Sequence, residues 1–275
     1  MAEYGIQIMN KGLRIKDCII ILLATIVITT IVKLFIRALP LNETIEEALS
    51  YTVGMGLSFL VAVRKYQKHS GTFDVDINSS CLKFIPLIII WPILMVFGIT
   101  SHFVYLIPTP EYLTEMYNES ENSIGWLSIL TVALVGPVLE ELIFRGVVLK
   151  GLLHRYTPLQ AIFISSVFFG LVHLNPWQFF GALGIGIISG WIYWKTNNLI
   201  LPIAMHISNN LIFALFGIYF GTSYLIDTPM QEVFGSQANQ LIAVGVSVFL
   251  FGAIWYFLSK RIKLRDLEST PYNNV

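Results

Sequence analysis

Eight apolar runs constrain this chain more than any other feature. They cover Asp17–Ile36, Ala48–Val63, Phe84–Ile107, Ile124–Lys150, Leu159–Leu174, Gln178–Trp194, Leu199–Phe220 and Leu241–Leu258. A helix needs ~20 mostly apolar residues to cross the hydrocarbon of a bilayer. The second, fifth and sixth runs are short for that, and the others reach it. Only 12% of the residues are charged, where soluble domains carry ~25%. The expectation is an all-α, multi-pass integral membrane protein, a bundle of about eight transmembrane helices. The formal net charge is zero, so nothing suggests a nucleic-acid partner, and two cysteines are too few for a disulfide scaffold.

Lys and Arg test the count, because they collect in cytosolic loops. Lys11, Arg14 and Lys16 precede the first run, and Arg64, Lys65, Lys68 and Lys83 fall between the second and third. Lys150 and Arg155 lie between the fourth and fifth, Lys195 between the sixth and seventh, and Lys260, Arg261, Lys263 and Arg265 after the eighth. Of the intervening loops only the first holds any base, Lys33 and Arg37 at its edge. Residues 108–123 carry Glu111, Glu115, Glu119 and Glu121, and residues 221–236 carry Asp227 and Glu232. Eight spans with both termini cytosolic satisfy this pattern, and seven would break it. The first run reads as an uncleaved signal anchor, since no small-x-small site follows it before Lys33. Three regions result: residues 1–123 with three spans, 124–220 with four, and 221–275 with the last span and a polar tail.

Ionisable groups are expensive inside a membrane, so each is a functional candidate. Here they gather in Glu140, Glu141 and Arg145 of the fourth run, His173 of the fifth, and His206 with Asn209 and Asn210 of the seventh. His69 and His154 fall in basic loops and read as solvated, and His102 reads as interfacial. Residues four apart share a helix face. Glu141 and Arg145 can therefore pair, while Glu140 lies ~100° round the helix and points elsewhere. A paired glutamate beside an unpaired one divides the work: the first balances charge, and the second can act as a general base or acid. Phe169 and His173 share a face, as do His206 and Asn210. At ~1.5 Å per residue, Glu140 lies ~15–20 Å, His173 ~22 Å and His206 ~13 Å from the cytosolic edge. These depths allow one shared site.

Each member alone has an ordinary reading. Glu141–Arg145 reads as a structural pair, a lone His173 as a packing residue, and Asn209 as inter-helix glue. Gly181, Gly184, Gly186 and Gly190 lie in an apolar run with no strand before them, so they mark close helix packing rather than a nucleotide loop. Pro137 is expected to kink the fourth helix just before the glutamates. The case for chemistry is their combination.

That combination resembles the CAAX protease and bacteriocin-processing family. Glu140-Glu141-xxx-Arg145 followed by Gly146 is similar to its first motif, Phe169-xxx-His173 to its second and His206-xxx-Asn210 to its third, in the family's order, within residues 124–220. The resemblance implies a polytopic intramembrane endopeptidase, with the CAAX prenyl endopeptidase as the best-understood branch and bacterial branches linked to bacteriocin maturation and self-immunity. It also implies roles. Glu140, with His173, would activate a water molecule. His206 and Asn210 would steady the oxyanion, and Glu141, Arg145 and Phe169 would support the site. It favours a metal-free glutamate mechanism with no cofactor, against a zinc ion held by Glu140, His173 and His206, a ligand set known in soluble metalloproteases. The expected partners are a peptide or lipidated-peptide substrate and membrane lipids; the oligomeric state is not legible.

Two other classes stay open. One is a non-enzymatic immunity or partner-binding membrane protein that keeps the motifs. The other is a transporter relaying protons through Glu and His, against which stands the lack of matching halves.

Overall fold

Backbone that crosses lipid must satisfy its own N–H and C=O groups, and a helix does so within one segment. A computed structural model describes residues 12–77, 79–96, 98, 126–221, 228 and 230–262. His102, the acidic stretch 108–123, Asp227 and the polar tail from Lys263 lie outside the described residues.

Among the described residues there is no strand, and eight helices of ten residues or more follow the eight apolar runs. They are α1 (Ile15–Arg37), α2 (Glu43–Ser70), α3 (Ile85–Met95), α4 (Trp126–Leu153), α5 (Pro158–Leu171), α6 (Pro176–Thr196), α7 (Ile200–Phe220) and α8 (Gln237–Arg261). Four of these, α1, α4, α7 and α8, are long and apolar enough to cross a membrane. The protein is an all-α integral membrane protein.

Local chemistry explains the ends. Asn42 caps α2 by accepting from Ile45 N at 2.8 Å, and Gly71 stops it at φ 95°. Thr157 and Gln160 form a capping box at α5, with Pro158 at the first helical position. Ser236 accepts from Asn239 N at 3.2 Å to start α8.

The bundle packs where side chains are small or flat. A Cβ on Gly186 of α6 would lie 2.9 Å from Ser166 Cβ of α5, so only glycine admits that approach. Gly184, Gly186 and Gly190 of α6 are packing residues, as expected. Trp91 of α3 meets Trp191 of α6 and Trp255 of α8, the latter two stacked at 4.4 Å. Outside this core, α1 and α8 turn Leu34, Phe35, Ile242 and Phe249 outward, as lipid-facing helices do.

Two polar clusters sit at the end of the bundle where the basic residues collect. Asp17 is buried and accepts from Lys65 at 3.1 Å, with His69 Nε2 at 3.6 Å. His69 is therefore not a solvated loop residue: α2 runs past its apolar stretch to Ser70 and carries it into contact with α1. His154, too, has a partner, the Tyr66 hydroxyl at 3.4 Å.

The second cluster centres on Asp76, between α2 and α3. Its carboxylate accepts from Lys150 at 2.8 Å, Tyr193 Oη at 2.5 Å and Asn197 Nδ2 at 3.2 Å. Its carbonyl accepts from Leu199 N at 2.9 Å. Through its side chain and its carbonyl, this one residue ties α4, α6 and the start of α7. Asp76→Ala removes these charge-assisted bonds and is expected to cost about 1.5–3 kcal/mol, read as a lowered unfolding temperature in detergent. An unchanged midpoint would mean that the backbone bond alone carries the strap.

Candidate active site

α4 brings both glutamates into the bundle, but not as a uniform α-helix. Residues Thr131–Val135 and Leu142–Leu149 form wide π turns on either side of the α-helical Gly136–Glu141. Such turns concentrate at functional sites. Pro137, where a kink is expected, lies next to the first of these wide turns, and the widening has a local reason. Gly136 N bonds to Thr131 O, five residues back. Pro137 comes next and has no N–H, so the carbonyl of Val132 loses the partner that a wide turn would supply. Asn210 of α7 donates its side-chain amide to that oxygen at 2.9 Å. Asn210 therefore ties α7 to α4 at the point where α4 is loosened, a duty that its spacing from His206 did not reveal. Asn209 donates to Asn210 Oδ1 at 3.1 Å and orients the amide.

Glu141 is fully buried. Its Oε1 accepts from Arg145 Nη1 at 2.9 Å, the pairing that the four-residue spacing predicts. Arg145, also buried, donates through Nη2 to Gly186 O at 3.2 Å and lies over the Phe169 ring at 4.4 Å. The same Oε1 takes a second bond, from His206 Nδ1 at 3.1 Å. A carboxylate only accepts, so His206 gives it Nδ1–H and turns Nε2 toward Glu140, whose Oε2 is 3.8 Å away. His206 thus stands between the two glutamates.

Glu140 is placed differently from its neighbour. Its side chain keeps 12% of its surface exposed, against none for Glu141. The Tyr51 hydroxyl of α2 donates to its Oε1. Tyr51 does not stand out in the sequence, because it is neither formally charged nor an amide. A phenol within an apolar run needs a polar partner, and that was the available signal.

His173 sits just past the end of α5, in a turn completed by Leu174 at φ 53°. Its Nδ1 lies 2.9 Å from Phe169 O. A carbonyl only accepts, so Nδ1–H donates and the lone pair rests on Nε2. The Phe169 ring lies edge-on to both imidazoles, 5.3 Å from His173 and 5.5 Å from His206. Phe169 thus contacts both imidazoles, and of the two only His206 is within reach of the glutamates in the contacts above. Among the described residues no three His, Cys, Asp or Glu side chains are grouped to hold an ion. Ser208 donates to Ile89 O at 2.6 Å, which occupies the hydroxyl nearest His206 in sequence. Cys18 and Cys81 form no disulfide and lie outside the site.

Fold and site together define an all-helical membrane protein with two carboxylates, two imidazoles and a guanidinium inside its bundle. Residues 122–212 match the family model described as "Type II CAAX prenyl endopeptidase Rce1-like", a segment that holds every motif residue named above. That segment of the chain is thus similar to the CAAX prenyl endopeptidase family, and the match covers about a third of the chain. It is 31% identical over 111 residues to "Putative membrane peptidase YdiL" of Bacillus subtilis (strain 168), covering 40% of this chain and 46% of that protein. It is 26% identical over 117 residues to "Uncharacterized 24.3 kDa protein" of Escherichia coli, covering 40% of this chain and 54% of that one. The chain thus spans about half the length of the curated relatives it matches. No solved structure matches it.

Proposed function

We propose that the protein is an intramembrane endopeptidase that hydrolyses a peptide bond with a water activated by Glu140 and His173. The observation that carries the reading is the inequality of two adjacent glutamates. Glu141 is sealed between Arg145 and His206, whereas Glu140 is partly open and shares His206 as a neighbour. One carboxylate is committed to charge balance; the other is left for proton transfer.

The steps follow from the groups present. Glu140 takes a proton from water as the oxygen attacks the carbonyl carbon. The tetrahedral oxyanion is met by donors, one from the Asn210 amide, whose nitrogen carries a second N–H besides the one given to Val132. Nε2 of His206 joins it when the ring is protonated. The proton held by Glu140 then passes to the leaving amine as the C–N bond breaks, and His173 Nε2, the lone-pair nitrogen, assists that relay. No step needs a metal ion. The substrate is a peptide, lipidated or not, presented from the cytosolic side, with both termini of the protein on that side.

The test is cleavage of a peptide library, with and without a prenyl group on cysteine, by purified protein whose zinc content is measured in parallel. His173→Ala and His206→Ala are each expected to lower turnover by at least ~100-fold, and chelation is expected to leave the wild type unchanged. Full activity in either variant would overturn the mechanism. Stoichiometric zinc with chelator-sensitive cleavage would overturn its metal-free form.

A further inference from the structure

We infer that Tyr51 is a positioning residue for Glu140, selecting which of its two oxygens takes the proton from water. As a statement about turnover, this rests on the endopeptidase reading above. Tyr51 lies on α2, outside the matched residues 122–212, and 89 residues from the glutamate it touches. Three observations converge on it.

The first is the bond itself. The hydroxyl of Tyr51 donates to Glu140 Oε1. That oxygen is held on the α2 side, and Oε2 is left facing His206 Nε2 at 3.8 Å. A carboxylate rotating freely about its last torsion would present either oxygen. With the phenol in place, Oε2 is the one directed at the imidazole, where an attacking water has a second polar group to meet.

The second is the space made for the phenol. Gly136 is four residues before Glu140 and therefore on its face of α4. A Cβ there would stand 3.3 Å from the Tyr51 hydroxyl and 3.2 Å from Thr131 O. The absence of a side chain at Gly136 lets the phenol reach past that turn to the carboxylate.

The third is the setting of the ring. Tyr51 forms part of the wall of a cavity of about 280 Å³ between α1, α2 and α4, whose polar lining includes Thr29, Ser50, Ser128 and Thr131. The phenol stands between that cavity and Glu140. It holds the carboxylate against His206 rather than letting it swing toward the cavity's hydroxyls.

The experiment uses two readouts on the full-length protein in detergent. One is coupling of dicyclohexylcarbodiimide to Glu140, quantified by mass spectrometry, which needs no substrate. The other is kcat and KM on a cleaved peptide. Tyr51→Phe keeps the ring and removes only the donor. It is expected to raise Glu140 labelling several-fold and to lower kcat by about 10-fold or more, with KM unchanged because Tyr51 does not hold substrate. Gly136→Ala, which displaces the hydroxyl without deleting it, is expected to do the same to a smaller degree and serves if the phenylalanine variant is poorly folded. Labelling at the wild-type level in both variants overturns the assignment, whatever happens to turnover. Raised labelling in a protein that cleaves nothing overturns the endopeptidase reading and leaves the Tyr51–Glu140 link standing. Raised labelling with kcat unchanged shows that the link exists but does not direct the base, which overturns the catalytic part of the inference.

Discussion

Arg145→Ala is expected to destabilise the protein by about 3–5 kcal/mol, the cost of stranding one half of a buried ion pair. Arg145 is 1% exposed and Glu141 fully buried. Removing the guanidinium deletes the bond to Glu141 Oε1, the bond to Gly186 O and the stacking over Phe169 at once. Glu141 would keep only His206, and Oε2 of Glu141 already has no hydrogen-bond partner among the described residues. Arg145→Lys is not a mild change here, since an ammonium cannot serve Glu141 and Gly186 in one plane while stacking on a ring. The measurement is the unfolding temperature in detergent, together with the amount of protein recovered from membranes. A second variant, Arg145→Met with Glu141→Leu, removes both charges. It is expected to regain part of the loss, because apolar replacement of a whole buried pair is often close to neutral. Equal unfolding temperatures for wild type and Arg145→Ala would mean that the pair does not hold α4 against α6.

The second large effect separates two neighbours in sequence. Glu140→Gln is expected to lower kcat by ~10²–10⁴-fold, the usual contribution of a positioned general base, with stability close to wild type. Glutamine can still accept from Tyr51, and Glu140 lies in a partly open place where an amide is tolerated. Glu141→Gln is expected to show the opposite pattern. It leaves Arg145 charged and buried without its counter-ion, so unfolding temperature and yield fall first. Comparing turnover per folded molecule with thermal stability for both variants reads the contrast directly. If Glu140→Gln lost stability as Glu141→Gln does while retaining turnover, the two roles would be reversed.

Much of this architecture was legible beforehand, for identifiable reasons. Apolar runs are a local property, and each coincides with a helix among the described residues, although α2 extends past its run at both ends and the end of the third run lies outside the described residues. The four-residue spacing of Glu141 and Arg145 was enough to predict their bond, because both sit on one helix and helical geometry is short-ranged. The same logic placed Phe169 with His173 and His206 with Asn210. It also failed in recognisable ways. The expectation at Pro137 assumed that α4 keeps one periodicity, and it did not foresee the wide turns or the use of Asn210 at the abandoned carbonyl. His69 was misread because an apolar window ends before the helix that carries it does.

By itself, then, the sequence determined which segments become helices, which faces carry polar groups, and that the acid, imidazole and amide motifs together resemble one known set. It did not determine which faces meet. His206 lies 65 residues from Glu141, and Tyr51 lies 89 from Glu140. No spacing rule reaches across such distances. Those pairings are decided by how glycines, aromatic rings and lipid-facing surfaces let eight helices pack, and that packing is what converts two consecutive glutamates into groups with different partners.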